Sequence, residues 1–425
     1  MSLALAILLG VLSLCPAIVT VDGPIIPCLV PLLLAAGLIL VSVKLPPGEA
    51  QHMSAVVSRP FVIIAAFPAV LMIMQMLPLP FLANPIWTSV SAGFPHGVVG
   101  SVSVDIGATA IALARYLSAI GAILLAAAVA INRERAESVL IATAASAVLI
   151  SFAALLHDLF GFNVLAMREE ALDCACLGVT LSAACALLVL ERHETRRFNP
   201  GQTQKRFQLA SLACLAAFLI CAGAVAATRS GSLTFAAASG FMTFCAAVMI
   251  RRWALGRLGA AAIGVTAAFF AAALATAAAS DADPRFAFVK KDTAELELTQ
   301  RLLSDAPFFG DGAGSFGALL PIYQARNTGS RAAGAVTAAA KLSIEMGEAT
   351  LWISVVAASL AVFVLLLGAS RRGRDWFYAA AAGACLVTLI NLAFVNVGLS
   401  GAAIASLSAT IFGLGLVQSK GRVSS

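Results

Sequence analysis

Residues 107–131 read GATAIALARYLSAIGAILLAAAVAI, and Asn132-Arg133-Glu134-Arg135 follow at once. Arg115 is the one charged side chain in the run. A bilayer core is crossed by roughly 20 mostly apolar residues. With no water to satisfy them, the backbone amides must bond inside the segment, which leaves a helix or a closed barrel. Apolarity here is continuous rather than alternating, so the segment is a helix and not a barrel strand. Similar runs recur on both sides, near 2–20, 26–43, 60–82, 139–160, 172–190, 207–227, 232–250, 258–279, 348–369, 376–396 and 400–418. The composition agrees. Hydrophobic residues make up 61% of the chain and charged residues 11%, with a mean hydropathy of +0.97. Soluble domains carry about 25% charged residues, and a soluble chain this apolar could not cover its core. The fold class is all-α, a polytopic transmembrane helix bundle of about 12 spans. Residues 1–279 hold spans one to nine, 280–347 form one large outer loop with helices of its own, and 348–425 hold the last three spans and the C-terminus.

Loop charges set the orientation. Alternate loops carry Lys44 and Arg59; Arg133 and Arg135; Arg192, Arg196, Arg197, Lys205 and Arg206; Arg251, Arg252 and Arg257; Arg371, Arg372 and Arg374; then Lys420 and Arg422. The positive-inside rule makes this face cytoplasmic and places both termini inside, as an even number of spans requires. These anchors account for the net charge of +6. It calls for no nucleic acid, since no basic patch is interleaved with exposed aromatics. The run Met1–Thr20 has no basic leader region and reads as a first span rather than a cleaved signal. The nine cysteines all fall in or beside apolar runs and form no disulfide framework. Cys174 and Cys176 have C-x-C spacing, which at a helix start reads as packing rather than a metal site.

The opposite face holds the loops near 83–106 and 161–171, a tight turn at Arg229, and the long segment 280–347. A loop of that length is usually functional. Within it, Asp292–Ser304 suits a surface helix, Asp305–Phe316 a turn, and Ser330–Gly347 a second, alanine-rich helix. Arg229, in Thr228-Arg229-Ser230-Gly231-Ser232, lies between two apolar runs and against the positive-inside trend. Such a charge is costly unless it faces a partner or a cavity. It reads either as an interfacial anchor or as an anion ligand, a task for which paired guanidinium donors suit phosphate. Arg115, Arg168, Arg301, Arg326 and Arg331 add positive charge near this face. Phe308-Phe309-Gly310-Asp311-Gly312-Ala313-Gly314-Ser315-Phe316 places glycines at every second position, for tight turns or close backbone approach. It has no Gly-Lys-Ser/Thr and no preceding strand, so it is neither a P-loop nor a dinucleotide fingerprint. His157-Asp158 reads as an interfacial polar pair. Glu345 and Glu348 flank Gly347 and serve either as a base or as helix-start acids.

In order along the chain, these pieces resemble the O-antigen ligase and Wzy-type polysaccharide polymerase family. Ser103-Val104-Asp105-Ile106-Gly107-Ala108-Thr109, followed by Arg115, looks like that family's S-x-D-P-x-A-T start of a span, with Ile106 in the proline position. Thr228-Arg229-Ser230-Gly231-Ser232 looks like its S-R-S/G turn. Arg301 through Tyr323 looks like its large periplasmic loop, in which an arginine-bearing helix leads to P-x-x-G-x-G-x-G-x-F and P-x-Y. Here those are Pro307–Phe316, with Gly310, Gly312 and Gly314, and Pro321-Ile322-Tyr323. Ile344-Glu345-Met346-Gly347 looks like its E-x-G. The family usually has a histidine nine residues before that glutamate; here Val336 stands there. On one continuous helix, Val336 and Glu345 would face nearly opposite ways. Glu345 then does not replace the imidazole but orients Arg331 or Lys341.

The resemblance implies glycan transfer on the periplasmic face from a polyprenyl-diphosphate-linked donor to a glycan or lipid-linked sugar acceptor, with membrane lipids around the bundle and no metal or cofactor. Arg229, Arg326, Arg331 and Glu345 are the implied catalytic residues. Arg115, Arg301, Gly310, Gly312, Gly314 and Tyr323 are the implied substrate-binding ones. Positive charge placed where diphosphate charge develops lowers the barrier. Two other readings share the topology: a transporter or flippase, for which no internal repeat or pair of broken helices is evident, and a non-catalytic subunit of an envelope polysaccharide assembly complex.

Overall fold

The computed structural model describes residues 1–425 other than 22, 24, 94–98, 163, 196–199, 253–292, 325–335, 374 and 421–425. The described residues form sixteen α-helices and no strand. Eleven are long and apolar enough to cross a membrane. They are α1 (Ser2–Thr20), α2 (Ile25–Lys44), α4 (Arg59–Met76), α6 (Ile106–Val129), α7 (Arg133–Phe160), α8 (Arg168–Thr195), α9 (Pro200–Ala227), α10 (Gly231–Arg252), α14 (Glu348–Arg371), α15 (Trp376–Val395) and α16 (Ala402–Ser419). Five shorter helices complete the set: α3 (Pro47–Val56), α5 (Ile86–Ala92), α11 (Thr293–Asp305), α12 (Phe316–Gln324) and α13 (Ala338–Met346). The chain is therefore an all-α polytopic bundle. The span expected at 258–279 lies outside the described residues.

The centre of the bundle is built from α8, α15 and α16, which bury most of their length, whereas α4, α9 and α14 bury only a small part of theirs. Small side chains explain the division. Ala379 through Ala382 and Ala384 of α15 are fully buried. A Cβ at Gly413 of α16 would meet the backbone of Ile123, and one at Gly415 would meet Ala382. With no hydrophobic drive between helices in lipid, close backbone approach at small residues is what holds spans together. On the outer helices Ile63, Leu209, Leu212 and Val356 are exposed, which is a lipid-facing surface.

Polar contacts tie each end of the bundle. On the arginine-rich face, Arg133 pairs with Asp375 at 3.0 Å, Arg192 pairs with Glu137, and Trp376 Nε1 donates to Glu191 at 3.1 Å. On the opposite face, Glu170 of α8 accepts the backbone N–H groups of Ala403 at 2.6 Å and Ile404 at 3.1 Å. A carboxylate at a helix N-terminus satisfies amides that have no partner in the helix. One turn along, Asp173 Oδ1 accepts from Asn396 Nδ2 at 2.8 Å, and the Asn396 carbonyl accepts from Ala338 N at 2.8 Å. The turn between α15 and α16 is thus pinned to both α8 and α13.

The large outer loop departs from expectation at the start of its second helix. The second helix, expected over Ser330–Gly347, does not pass through Val336 and Thr337, and the part expected at 330–335 lies outside the described residues. It begins at Ala338, where the Thr337 hydroxyl accepts from Ala340 N at 3.1 Å as an N-cap. Val336 precedes that cap and is buried beside Leu296 and Leu303. The opposed-face relation of Val336 and Glu345 on a single helix therefore does not exist. The segment containing Pro321 and Tyr323, to which the sequence assigned no element, is helix α12.

Candidate functional site

Four stretches far apart in sequence meet on the face opposite the arginine-rich loops. The first is the end of α4. Gln75, the polar residue of an otherwise apolar stretch, is fully buried. Its Nε2 donates to the carbonyls of Phe309 at 2.8 Å and Glu345 at 3.0 Å, and its Oε1 accepts from Ala313 N at 3.0 Å. The second stretch is the extended segment before α6. Ser103 N donates to Gln75 O at 3.0 Å, and Val104 N donates to Asp311 O at 2.9 Å. Ser103 Oγ lies 2.7 Å from Thr109 Oγ1, and Asp105 caps α6 by accepting from Ala108 N at 2.9 Å. Third comes the glycine loop, whose Asp311 N and Gly312 N donate to the carbonyls of Ile344 and Glu345 at 2.9 and 3.0 Å. The fourth is the end of α13, residues 344–347.

The glycines are required by this geometry. Gly310, Gly312, Gly314 and Gly347 all have positive φ, at 72°, 108°, 80° and 85°. A Cβ on Gly310 would meet the Glu345 backbone, one on Gly312 would meet Ser103, and one on Gly347 would meet the Phe308 carbonyl. Only glycine fits both the dihedral and the space. The N–H groups of residues 311–313 are consumed inside the protein, so the described work of Gly310, Gly312 and Gly314 is to clasp α4, the α6 start and α13 together.

Two carboxyls sit in the clasp. Glu345 Oε1 accepts from Phe316 N at 3.4 Å, at the start of α12. Burial pushes its pKa up, while Lys341 and the N–H groups of Gly314 and Phe316 pull it down. Asp311 Oδ1 accepts from Asn84 Nδ2 at 2.7 Å. Burial, with a smaller contribution from Asp305, moves its pKa up to about 6 against the stabilising Asn84 bond. A carboxyl near 6 exchanges protons at physiological pH. Gln75, Asn84 and Asp311 were not singled out from the sequence. The readable signal was a lone amide in an apolar span for Gln75, and the acidic residue between the glycines for Asp311.

The remaining sequence candidates are placed as follows. Arg229 is exposed at the α9–α10 turn, and its φ of 52° is a left-handed value unusual for a non-glycine residue. Ser230 and Thr228 support the turn: Ser230 N donates to Thr228 Oγ1 at 3.2 Å. Among the described residues no hydrogen bond or ion pair joins Arg229 to the clasp. Arg115 is exposed on α6, within electrostatic reach of Glu170. Arg301 is exposed on α11. The Tyr323 hydroxyl donates to Asp305 Oδ2 at 3.0 Å, linking α12 to α11. Arg326 and Arg331 lie outside the described residues. Arg168 pairs with Asp158 at 3.1 Å, and His157 Nδ1 is 2.9 Å from the Phe162 carbonyl, which makes both polar groups at 157–158 parts of the α7–α8 connection. Neither a family model nor a curated protein matches the chain.

Proposed function

We propose that this protein transfers or polymerises glycan from a polyprenyl-diphosphate carrier, in the manner of O-antigen ligases and exopolysaccharide polymerases, on the periplasmic side of a bacterial inner membrane. The observation that carries this reading is convergence. The S-x-D segment and the E-x-G segment, two of the stretches that carry the resemblance, are each hydrogen-bonded to a third, the glycine loop. In the reaction, an acceptor hydroxyl oxygen attacks the anomeric carbon of the donor sugar. The bond from that carbon to the diphosphate oxygen breaks, its electron pair leaves with the diphosphate, and the hydroxyl proton passes to a base. Arg229 is assigned to the developing diphosphate charge, with Arg326, Arg331 and Arg301 as further cations. Its left-handed backbone fits this role, because strained dihedrals concentrate where function demands a fixed side chain. Asp311, whose carboxyl pKa burial moves up to about 6, is the base assigned here.

The test uses a host lacking the gene and follows carrier-linked glycan by extraction and chromatography. Wild-type protein should restore consumption of the carrier-linked pool. Arg229→Ala and Arg229→Lys should both fail at wild-type protein levels, because lysine keeps the charge and loses the paired donor fork. Full activity of both variants would remove Arg229 from the site, and an unchanged glycan pool in the deletion would remove the reaction itself.

A second reading, an ion-coupled transporter, draws on Glu170 and Asp173. Both are buried in the bundle, where ionisable groups are functional by default. Against it, the described partners of Glu170 are the amides of α16, which is a structural use.

A further inference from the structure

At the arginine-rich end of the bundle, α14 and α16 cross closely where a Cβ on Gly368 would meet Ser419. Beside that crossing a groove of about 340 Å³ opens, with Val364 and Leu367 on its apolar wall and Arg371, Arg372 and Lys420 at its end. The apolar wall continues the lipid-facing surface of α14, where Leu360, Phe363 and Val364 are about half exposed. The three cations come from different elements: Arg371 from the last turn of α14, Arg372 from its C-cap, and Lys420 from the C-cap of α16. Among the described residues, none that lines the groove is acidic. The nearest acid in the following turn, Asp375, is already paired with Arg133. Arg251 donates to the carbonyls of Ser370 and Gly373, which fixes the turn that carries Arg371 and Arg372. Lys420 is anchored by donating to the Ala55 carbonyl.

We propose that this groove binds the phosphate headgroup of an anionic phospholipid, with one acyl chain lying along Val364 and Leu367. Charge complementarity selects the headgroup, since guanidinium groups bond phosphate oxygens in pairs and basic pockets between spans hold anionic headgroups. The apolar wall, open to the lipid-facing surface, selects a lipid over a free anion. Burial lowers the Lys420 pKa, as expected of an ammonium that gains from a bound anion. The site is independent of the glycan-transfer reading, because it lies at the other end of the bundle from the clasp.

The experiment uses the full chain purified in a neutral detergent and measures retained lipid by native mass spectrometry. Dioleoyl phosphatidylglycerol, dioleoyl phosphatidylcholine and inorganic phosphate are the three probes. The groove variant is Arg371→Ala with Arg372→Ala and Lys420→Ala. The control variant removes three exposed charges from the same face, Lys44→Ala with Arg59→Ala and Lys205→Ala. Phosphatidylglycerol should be retained by the wild type and by the control. The groove variant should lose it by roughly a hundredfold, at about fivefold per cation. The exposed single variant Arg371→Gln, which leaves the helix crossing untouched, should weaken it about fivefold and so serves if the triple variant does not fold. Equal retention of phosphatidylcholine, equal loss in the control, or displacement of phosphatidylglycerol by millimolar phosphate would each overturn the proposal.

Discussion

The carboxyl of Asp311 is pulled two ways: Asn84 donates to it at 2.7 Å, while burial and Asp305 oppose its ionisation. The result is a folded pKa of about 6 against an ordinary 3.8. Between those values the folded protein holds more protons than the unfolded chain, so stability falls as pH rises through the window and is greatest below it. Amide exchange of residues 310–313, corrected for intrinsic rates, should therefore show less protection at about pH 7 than at about pH 4. Asp311→Asn keeps an oxygen for Asn84 and carries no charge, so its protection should be flat over the same range. A slope that survives the substitution would assign the pH dependence to another group. Gly312 makes a separate claim at the same scale. Its φ of 108° and its contact with Ser103 leave no place for a methyl group, so Gly312→Ala should cost of order 1–3 kcal/mol in the thermal unfolding of the detergent-solubilised protein. Gly317, beside which a Cβ meets nothing, is the control, and Gly317→Ala should be neutral.

Helix α12 starts under Glu345, and its first amides are the groups that a helix leaves unsatisfied. Glu345→Gln keeps an acceptor oxygen for Phe316 N and should lower stability and transfer only modestly. Glu345→Leu strands the amides of Phe316 and Gly314 and should cost about 0.5–2 kcal/mol, in the range of a lost N-cap. Complete loss of transfer with Glu345→Gln, in a protein that still melts like the wild type, would make this carboxyl the base in place of Asp311. The spans were legible because apolarity over twenty residues is a local signal: α1 was read at 2–20 and is Ser2–Thr20, and α11 was read at 292–304 and is Thr293–Asp305. The stretch that forms helix α12 was assigned no element from the sequence: it is only nine residues long and holds Pro321 inside it. The start of α13 was hidden inside an alanine-rich run, where the Thr337 cap is one residue of signal. The clasp itself was legible only as separate motifs. The bonds that join its two halves span far more of the chain than any local window, 227 positions between Asn84 and Asp311 and 270 between Gln75 and Glu345.

Two layers of polar contacts, one at each end of the bundle, give the whole molecule its sidedness. At one end Arg251 of α10 reaches the turn between α14 and α15 and stacks its guanidinium 6.0 Å from the Trp376 ring. That end carries the basic loops, and the proposed orientation, which follows the positive-inside rule, puts it in the cytoplasm. At the other end, Leu298 and Leu302 of α11 are buried with Phe316, Leu319 and Ile344, in the same layer as the clasp. The chain therefore leaves α10 on one face and enters α11 on the other. Reporter fusions truncated after Arg251, Thr195 and Gly373 should all report cytoplasm, and fusions after Asp305 and Gly317 should report the opposite side. The pair Arg251 and Asp305 is the decisive one. A glycan-transfer site that uses a carrier presented outside the cytoplasm requires α11 and the clasp on that outer side, since the loop that α11 opens holds every cation assigned to the diphosphate except Arg229. If the Asp305 fusion reports cytoplasm, the clasp faces the wrong compartment for that chemistry. If Arg251 and Asp305 report the same side, α10 and α11 do not lie at opposite ends of the bundle.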